Sequence, residues 1–227
     1  MEQLLRSTGP YAILDVDSLE ARGLAVAPAA QAMLGGGASV LQLRAKGRSA
    51  RQTLEWLEEL VPLAAGAGVP LFVNDRADLA AVAGAPGVHV GQDDLPLTEV
   101  RRLFPELRVG VSTHSLEQLE AALAERPDYV AFGPVFPTRS KAQLDPLVGL
   151  ELLASAATLA TAAAVPLVAI GGIDSRNAHQ VRATGAVPAV IAALLPELAV
   201  DAPEPALAVI YARTRALCVG GETSGPA

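Results

Sequence analysis

Short apolar runs recur along the chain, each followed by polar or glycine-containing residues and then by an Ala/Leu-rich segment whose apolar positions repeat at helical spacing. That rhythm is the signature of repeated βα units. It predicts strands at Tyr11–Val16, Ser39–Arg44, Leu71–Asn74, Gly87–Val90, Arg108–Val111, Tyr129–Phe132, Leu167–Ile170 and Ala189–Ala192. The intervening helices centre on Ala27–Leu34, Ala50–Ala65, Asp78–Ala83, Leu97–Phe104, Leu116–Ala124, Leu147–Ala163, Arg176–Thr184 and Glu204–Leu217. Pro70 and Pro166 each stand just before a strand, where a residue without an amide donor ends the preceding helix. Such alternation fits either a doubly wound open sheet or a closed barrel. No GxGxxG fingerprint follows the first strand, and the strand count matches the barrel. The predicted fold is therefore α/β, a single (β/α)8 TIM barrel over residues 1–218, with 219–227 as a mobile C-terminal tail that has little to bury.

Composition narrows this picture in three ways. The 227 residues are 51% hydrophobic but only 4% aromatic, so Ala, Val, Leu and Ile must build the core, which favours α/β over a β-sandwich. A net charge of −7 argues against non-specific nucleic-acid binding and confines any anion site to a local cluster of cations. The single cysteine, Cys218, cannot form an intrachain disulfide, and no apolar run reaches membrane-spanning length. A cytoplasmic protein with no membrane partner is expected, its homo-oligomeric state left open.

In a barrel of this kind the chemistry sits in the loops after the strands, so the residues closing each apolar run are the informative ones. The second strand closes Gln42-Leu43-Arg44-Ala45-Lys46, where period-two geometry puts Gln42, Arg44 and Lys46 on one side and Leu43 on the other. The third closes Asn74-Asp75-Arg76, the fourth Gly91-Gln92-Asp93-Asp94, and the fifth supplies Ser112 and His114. After the sixth, Gly133 to Lys141 gathers hydroxyls and two cations. The seventh ends Gly171-Gly172, where backbone amides can approach a phosphate. Carboxylates alone would repel a phosphate, and a divalent cation resolves the conflict. Asp75 and Asp94 can give oxygen ligands to Mg²⁺, which completes its shell with water and diphosphate oxygens, while Arg44, Lys46 and Lys141 neutralise the remaining charge. A diphosphate at one end and a phosphate at the other point to a transferase acting on two small phosphorylated substrates.

Each feature also has a plainer reading. Arg44 and Lys46 taken singly are surface charges, Asp75-Arg76 a local ion pair, and Asp93 or Asp94 a helix cap. His89 inside a strand reads as a buried supporting group, His114 as loop packing, Gly171-Gly172 as a tight turn, and His179 as surface.

The blocks Gln42-Leu43-Arg44-x-Lys46, Asn74-Asp75-Arg76-x-Asp78, His89-Val90-Gly91-Gln92-Asp93-Asp94, Gly110-x-Ser112-x-His114, Asp128-Tyr129, Gly133-Pro134-x-Phe136-x-Thr138-x-Ser140-Lys141 and Ile170-Gly171-Gly172-Ile173 resemble, in order, those of the thiamine-phosphate synthase family. The resemblance runs from about Tyr11 to Leu195. It implies joining of hydroxymethylpyrimidine diphosphate to thiazole phosphate, with pyrophosphate leaving. The pyrimidine–diphosphate bond would ionise first and the thiazole nitrogen then trap the cation, so no protein nucleophile is needed. It also implies a pyrimidine diphosphate site at Gln42, Leu43, Arg44, Ala45, Lys46, Asn74, Ser112 and Lys141, with Ser112 and Lys141 as the catalytic pair. Asp75 and Asp94 would hold Mg²⁺. Thr138, Arg139, Ser140, Gly171, Gly172, Ala192 and Ala193 would hold the thiazole phosphate. The chain departs from the family pattern at Ala45, usually acidic, at Leu14-Asp15, usually Thr-Asp, and at Ala193, where a serine is common. Two rivals follow. A thiazole tautomerase would lack the metal acids and carry a histidine near Gly133-Pro134; a non-catalytic paralogue would not need the Asp75, Asp94 and Lys141 apparatus. The Pro137–Pro146 loop is the candidate lid.

Overall fold

The predicted strands close on themselves. In the computed structural model, which describes residues 8–138, 146–197 and 203–218, eight parallel strands run in sequence order around a closed barrel, and the last pairs back on the first through Tyr11↔Ala189. They are β1 (Tyr11–Asp15), β2 (Val40–Arg44), β3 (Leu71–Asn74), β4 (Gly87–Val90), β5 (Arg108–Thr113), β6 (Tyr129–Phe132), β7 (Leu167–Ala169) and β8 (Val187–Val190). The helices are α1 (Val16–Glu20), α2 (Val26–Gly35), α3 (Ala50–Gly66), α4 (Ala77–Ala83), α5 (Leu97–Leu103), α6 (Leu116–Ala124), α7 (Gly149–Ala162), α8 (Ala178–Ala183) and α9 (Pro203–Ala216). No described helix is long and apolar enough to cross a membrane.

Strand alternation divides the core in two. Leu14, Leu41, Leu43, Val73 and Val88 face outward into the layer shared with the helices, where Leu57 and Leu60 of α3 meet them, all essentially without exposure. Truncating one of these leucines to alanine would cost about 2–5 kcal/mol, the loss of transfer energy plus a cavity. α3 starts where the Ser49 side chain accepts the Gln52 amide at 3.2 Å, and its apolar face repeats at Thr53, Leu57, Leu60 and Ala64. Inside the barrel, Tyr11, Ile13, Phe72, Tyr129 and Val168 form a second, smaller cluster. Gly110 makes room for it: a Cβ there would lie 2.0 Å from Cζ of Tyr129.

Several boundaries differ from the sequence reading by a residue or more, β2 starting at Val40 and β7 ending at Ala169 among them, and three have a visible cause. Asp15 ends β1 by capping an unpredicted short helix, α1, accepting the Ser18 amide at 2.9 Å, so Val16 is helical. β8 runs Val187–Val190 because burial continues through Pro188, and Ile191 (φ −114°, ψ −89°) turns the chain into a 3₁₀ turn at Ala192–Leu194. β5 extends to Thr113, whose hydroxyl donates to the Ala131 carbonyl at 2.9 Å. Cys218 packs its Sγ 3.5 Å from the Gly36 and Gly37 carbonyls. The tail proposed at 219–227 and the central part of the candidate lid, 139–145, lie outside the described residues.

Candidate active site

At the C-terminal ends of the strands lies a cleft of about 500 Å³. Gln42, Arg44, Lys46, Asn74, Asp75, Asp94 and Ser112 all reach it, brought together from β2 to β5 by the alternation that sends every second side chain inward. Ile13, Ala131, Val168, Ile170, Ala189 and Ile191 form its apolar wall. Leu43 and Ala45 do not reach it: Leu43 is fully buried in the outer layer and Ala45 packs against that layer, as period two requires. Arg139, Ser140 and Lys141 lie outside the described residues.

The acids and cations interlock. Arg44 donates to Asp15, whose carboxylate is 6% exposed and also caps α1, so one buried acid both ends β1 and aims the guanidinium. Lys46 Nζ stands 3.3 Å from Asp75. Asp75 itself has φ 65°, and the Arg76 amide reaches over it to the Asn74 carbonyl at 2.8 Å, a tight γ-turn that a non-glycine residue enters only under strain. Its amide is held by the His89 carbonyl at 2.8 Å. Burial, then the hydrogen bond and charge of the neighbouring Asp94, push the Asp75 carboxyl above its ordinary range, and Lys46 only partly offsets them. Asp94 accepts the Gly91 amide at 2.7 Å, within its own loop; α5 is preceded by Pro96 and has no side-chain cap, so Asp94 is not a helix cap. Arg76 pairs with Asp78, not Asp75, at 2.6 Å.

These observations bear on a cation. Among the described residues no group of three or more His, Cys, Asp or Glu side chains converges, so protein ligands alone would be two carboxylates. That suits Mg²⁺, which keeps several waters and takes one or two carboxylates plus substrate phosphates. The raised proton affinity of Asp75 comes first from burial and then from the hydrogen bond and charge of Asp94, a repulsion that such an ion would relieve. Beside it, Nδ2 of Asn74 is buried with no hydrogen-bond partner among the described residues, a donor left for something bound in the cleft.

A buried polar chain lies beneath the rim. Gln42 Nε2 donates to the Tyr11 hydroxyl at 2.9 Å, Tyr11 and Tyr129 hydroxyls are 2.7 Å apart, Nδ1 of His89 is 2.7 Å from Tyr129, and Nε2 of His89 is 2.8 Å from Oγ of Ser112. His89 is thus a buried supporting group. His114 binds the Gly133 carbonyl through Nδ1 at 2.7 Å, tying the ends of β5 and β6 together.

Among the described residues, the groups on the opposite rim are mainly backbone. Gly171 and Gly172 follow Ile170 with φ of 102° and 62°, and a Cβ on Gly172 would lie 2.5 Å from the Pro137 carbonyl oxygen. The tight-turn reading therefore holds. The turn is clasped by Val135 and Phe136 amides on the Ile170 and Gly171 carbonyls, at 2.9 and 3.0 Å, while the Gly171 and Gly172 amides have no acceptor among the described residues. Ala192 and Ala193 follow Ile191 in the 3₁₀ turn, and Thr138 is the last described residue before 139–145. Sequence reasoning singled out neither Asp15 as the partner of Arg44 nor Tyr11 as part of the polar chain. The cap signal of Asp15 and the inward parity of Tyr11 were the available clues.

The sequence profile of TMP-TENI, the thiamine monophosphate synthase family, matches residues 11–194. The chain belongs to this family. It is 49% identical over 168 residues to the thiamine-phosphate synthase of Anaeromyxobacter dehalogenans, covering 73% of this chain and 74% of that one. With the thiamine-phosphate synthase of Koribacter versatilis it shares 46% identity over 189 residues, 82% and 88% of the two chains. The thiamine phosphate pyrophosphorylase of Pyrococcus furiosus superposes with a TM-score of 0.76 at 29% identity, covering 94% of this chain and 98% of that one. An aldolase structure at 18% identity and a TM-score of 0.67 shares the fold alone. All strands and the cleft fall inside the thiamine monophosphate synthase match.

Proposed function

We propose that the chain is a thiamine-phosphate synthase, joining 4-amino-2-methyl-5-hydroxymethylpyrimidine diphosphate to 4-methyl-5-(2-phosphooxyethyl)thiazole in the cytoplasm. The observation that carries the reading is the pairing of Asp75 with Asp94 beside Lys46 and Arg44 in one cleft. In the reaction the carbon–oxygen bond to the diphosphate breaks with its electron pair on the leaving oxygen, and the thiazole nitrogen lone pair forms the new carbon–nitrogen bond. Asp75 and Asp94 would hold Mg²⁺, which when bound supplies positive charge to the diphosphate oxygens. Arg44 and Lys46, with Lys141, bind and neutralise the same group as charge moves onto it. Asn74 offers its orphaned amide, and Ser112 orients the aminopyrimidine. The apolar wall from Ile13, Val168 and Ile170 takes the flat rings and excludes water that would otherwise capture the cation. The thiazole phosphate is assigned to the Thr138 to Ser140 segment, the Gly171 and Gly172 amides and the turn at Ala192-Ala193. No nucleic-acid or membrane partner is required, and a homo-oligomer is compatible with the reading.

The test is to supply both substrates and follow pyrophosphate and thiamine phosphate together, with and without chelator. Equal amounts of both products, abolished by chelation, are expected. Binding of the thiazole phosphate without either product by folded protein would point instead to a non-catalytic relative.

A further inference from the structure

The polar chain under the cleft has a direction. We propose that it runs from Gln42 through Tyr11, Tyr129 and His89 to Ser112, and that it leaves the Ser112 hydroxyl as a hydrogen-bond donor toward the substrate, with Tyr129 and His89 as positioning residues. The argument is a count of protons. The amide nitrogen of Gln42, 2.9 Å from the Tyr11 oxygen, can only donate. Tyr11 is 2% exposed, so its single proton needs an acceptor within the barrel, and the Tyr129 oxygen stands 2.7 Å away. Tyr129, accepting there, sends its own proton to Nδ1 of His89 at 2.7 Å. An imidazole that accepts at Nδ1 carries its proton at Nε2, which then donates to Oγ of Ser112 at 2.8 Å. With its oxygen engaged by His89, the serine turns its proton into the cleft it lines.

Burial raises the affinity of both phenols for their protons, so each is a neutral hydroxyl with one proton to give. With the Gln42 amide nitrogen facing Tyr11, the reversed chain fails the same count. If Ser112 donated to His89 and His89 to Tyr129, Tyr11 would accept from both Tyr129 and Gln42, and its own buried proton would have no described acceptor. The packing that fixes the chain is equally specific: the His89 and Tyr129 rings stack with centroids 5.6 Å apart, and Gly110 leaves the space Tyr129 occupies.

The consequence for recognition rests on the proposed pyrimidine site. A donor at Ser112 selects an acceptor, a ring nitrogen of the aminopyrimidine and not its amino group. The direction itself can be read without any substrate. The chain has three histidines, so ¹⁵N spectra of the full-length, histidine-labelled protein, with His114→Asn and His179→Asn to assign signals, report the His89 tautomer directly. A proton on Nε2 with an unprotonated Nδ1 is expected, and Tyr129→Phe should abolish this single-tautomer signature. A proton on Nδ1 in the native protein would overturn the proposal. Recognition is tested by calorimetry with pyrimidine diphosphates in which each ring nitrogen in turn is replaced by CH, or the amino group by hydrogen. One ring-nitrogen replacement should weaken binding to native protein by roughly tenfold and bind Ser112→Ala no worse than the parent does. If the amino-group replacement is the one that Ser112→Ala equalises, the serine is an acceptor and the direction is wrong. A protein that binds none of these diphosphates would sink the synthase reading while the tautomer still decides the direction.

Discussion

The two halves of the cleft are built from different materials. From β2 to β5 it is lined by charged and polar side chains: Arg44 locked to Asp15, Lys46 to Asp75, and Asp75 crowded by Asp94 on a strained turn. From β6 to β8 the wall is Ala131, Val168, Ile170, Ala189 and Ile191, and the polar groups above it are, among the described residues, mainly main-chain amides in turns that glycine makes possible. A diphosphate with a divalent ion calls for the first kind of surface, because charge of both signs must be set at fixed points. A monophosphate can be held by the second, where oriented amides supply partial charges without a desolvated side chain. Substitutions should therefore act on chemistry in one half and on loop geometry in the other.

The sharpest break is Asp94→Ala, which should lower kcat by roughly 10²–10³-fold, the usual cost of removing one preorganised electrostatic element, in protein that still folds. Arg44→Ala should lower kcat/KM by roughly 10–100-fold, in line with losing a charged hydrogen bond. Asp15→Asn, which can still cap α1, should weaken diphosphate binding by less than Arg44→Ala does; equal losses would mean that the buried carboxylate does more than aim the guanidinium. In the backbone half, Gly172→Ala should cost about 1–3 kcal/mol in chemical denaturation, since its φ is positive and the Pro137 carbonyl stands where a Cβ would go. Ala193→Ser tests whether amides alone suffice. A fall in KM for the thiazole phosphate of about 2–10-fold is expected if a hydroxyl adds one hydrogen bond there.

The smallest effect concerns stability. Because Asp75 binds its proton more tightly folded than unfolded, ionising it weakens the fold as pH rises through the ordinary carboxyl value of 3.8 and up to its raised folded value. Asp75→Asn should therefore raise the melting temperature at neutral pH without magnesium. That advantage should vanish in acid below the ordinary value, while turnover falls.

The same contrast explains what could be read from sequence. The charged half is written in side chains, so Gln42 and Arg44 were legible as cleft residues from period two, Asn74 and Ser112 from their place at the ends of strands, and the strand count from the apolar runs. The side chains of Leu43 and Ala45 point away from the cleft because a contiguous motif mixes both faces of a strand. Boundaries failed where local chemistry overrode the apolar run. Asp15 diverted the chain into α1, and Ile191 turned it out of β8 although the following residues are apolar. The polar chain from Gln42 to Ser112 joins residues of five strands, and its members come together only through barrel closure and the space left by Gly110.

The most direct test of this division of labour is calorimetric titration of inorganic pyrophosphate into the native protein and Asp94→Ala, each with and without Mg²⁺. Binding by native protein that depends on Mg²⁺ and is lost in Asp94→Ala is the expected result. Equal, magnesium-independent binding by both proteins would contradict it, since the β2 to β5 rim would then hold the anion without its paired carboxylates.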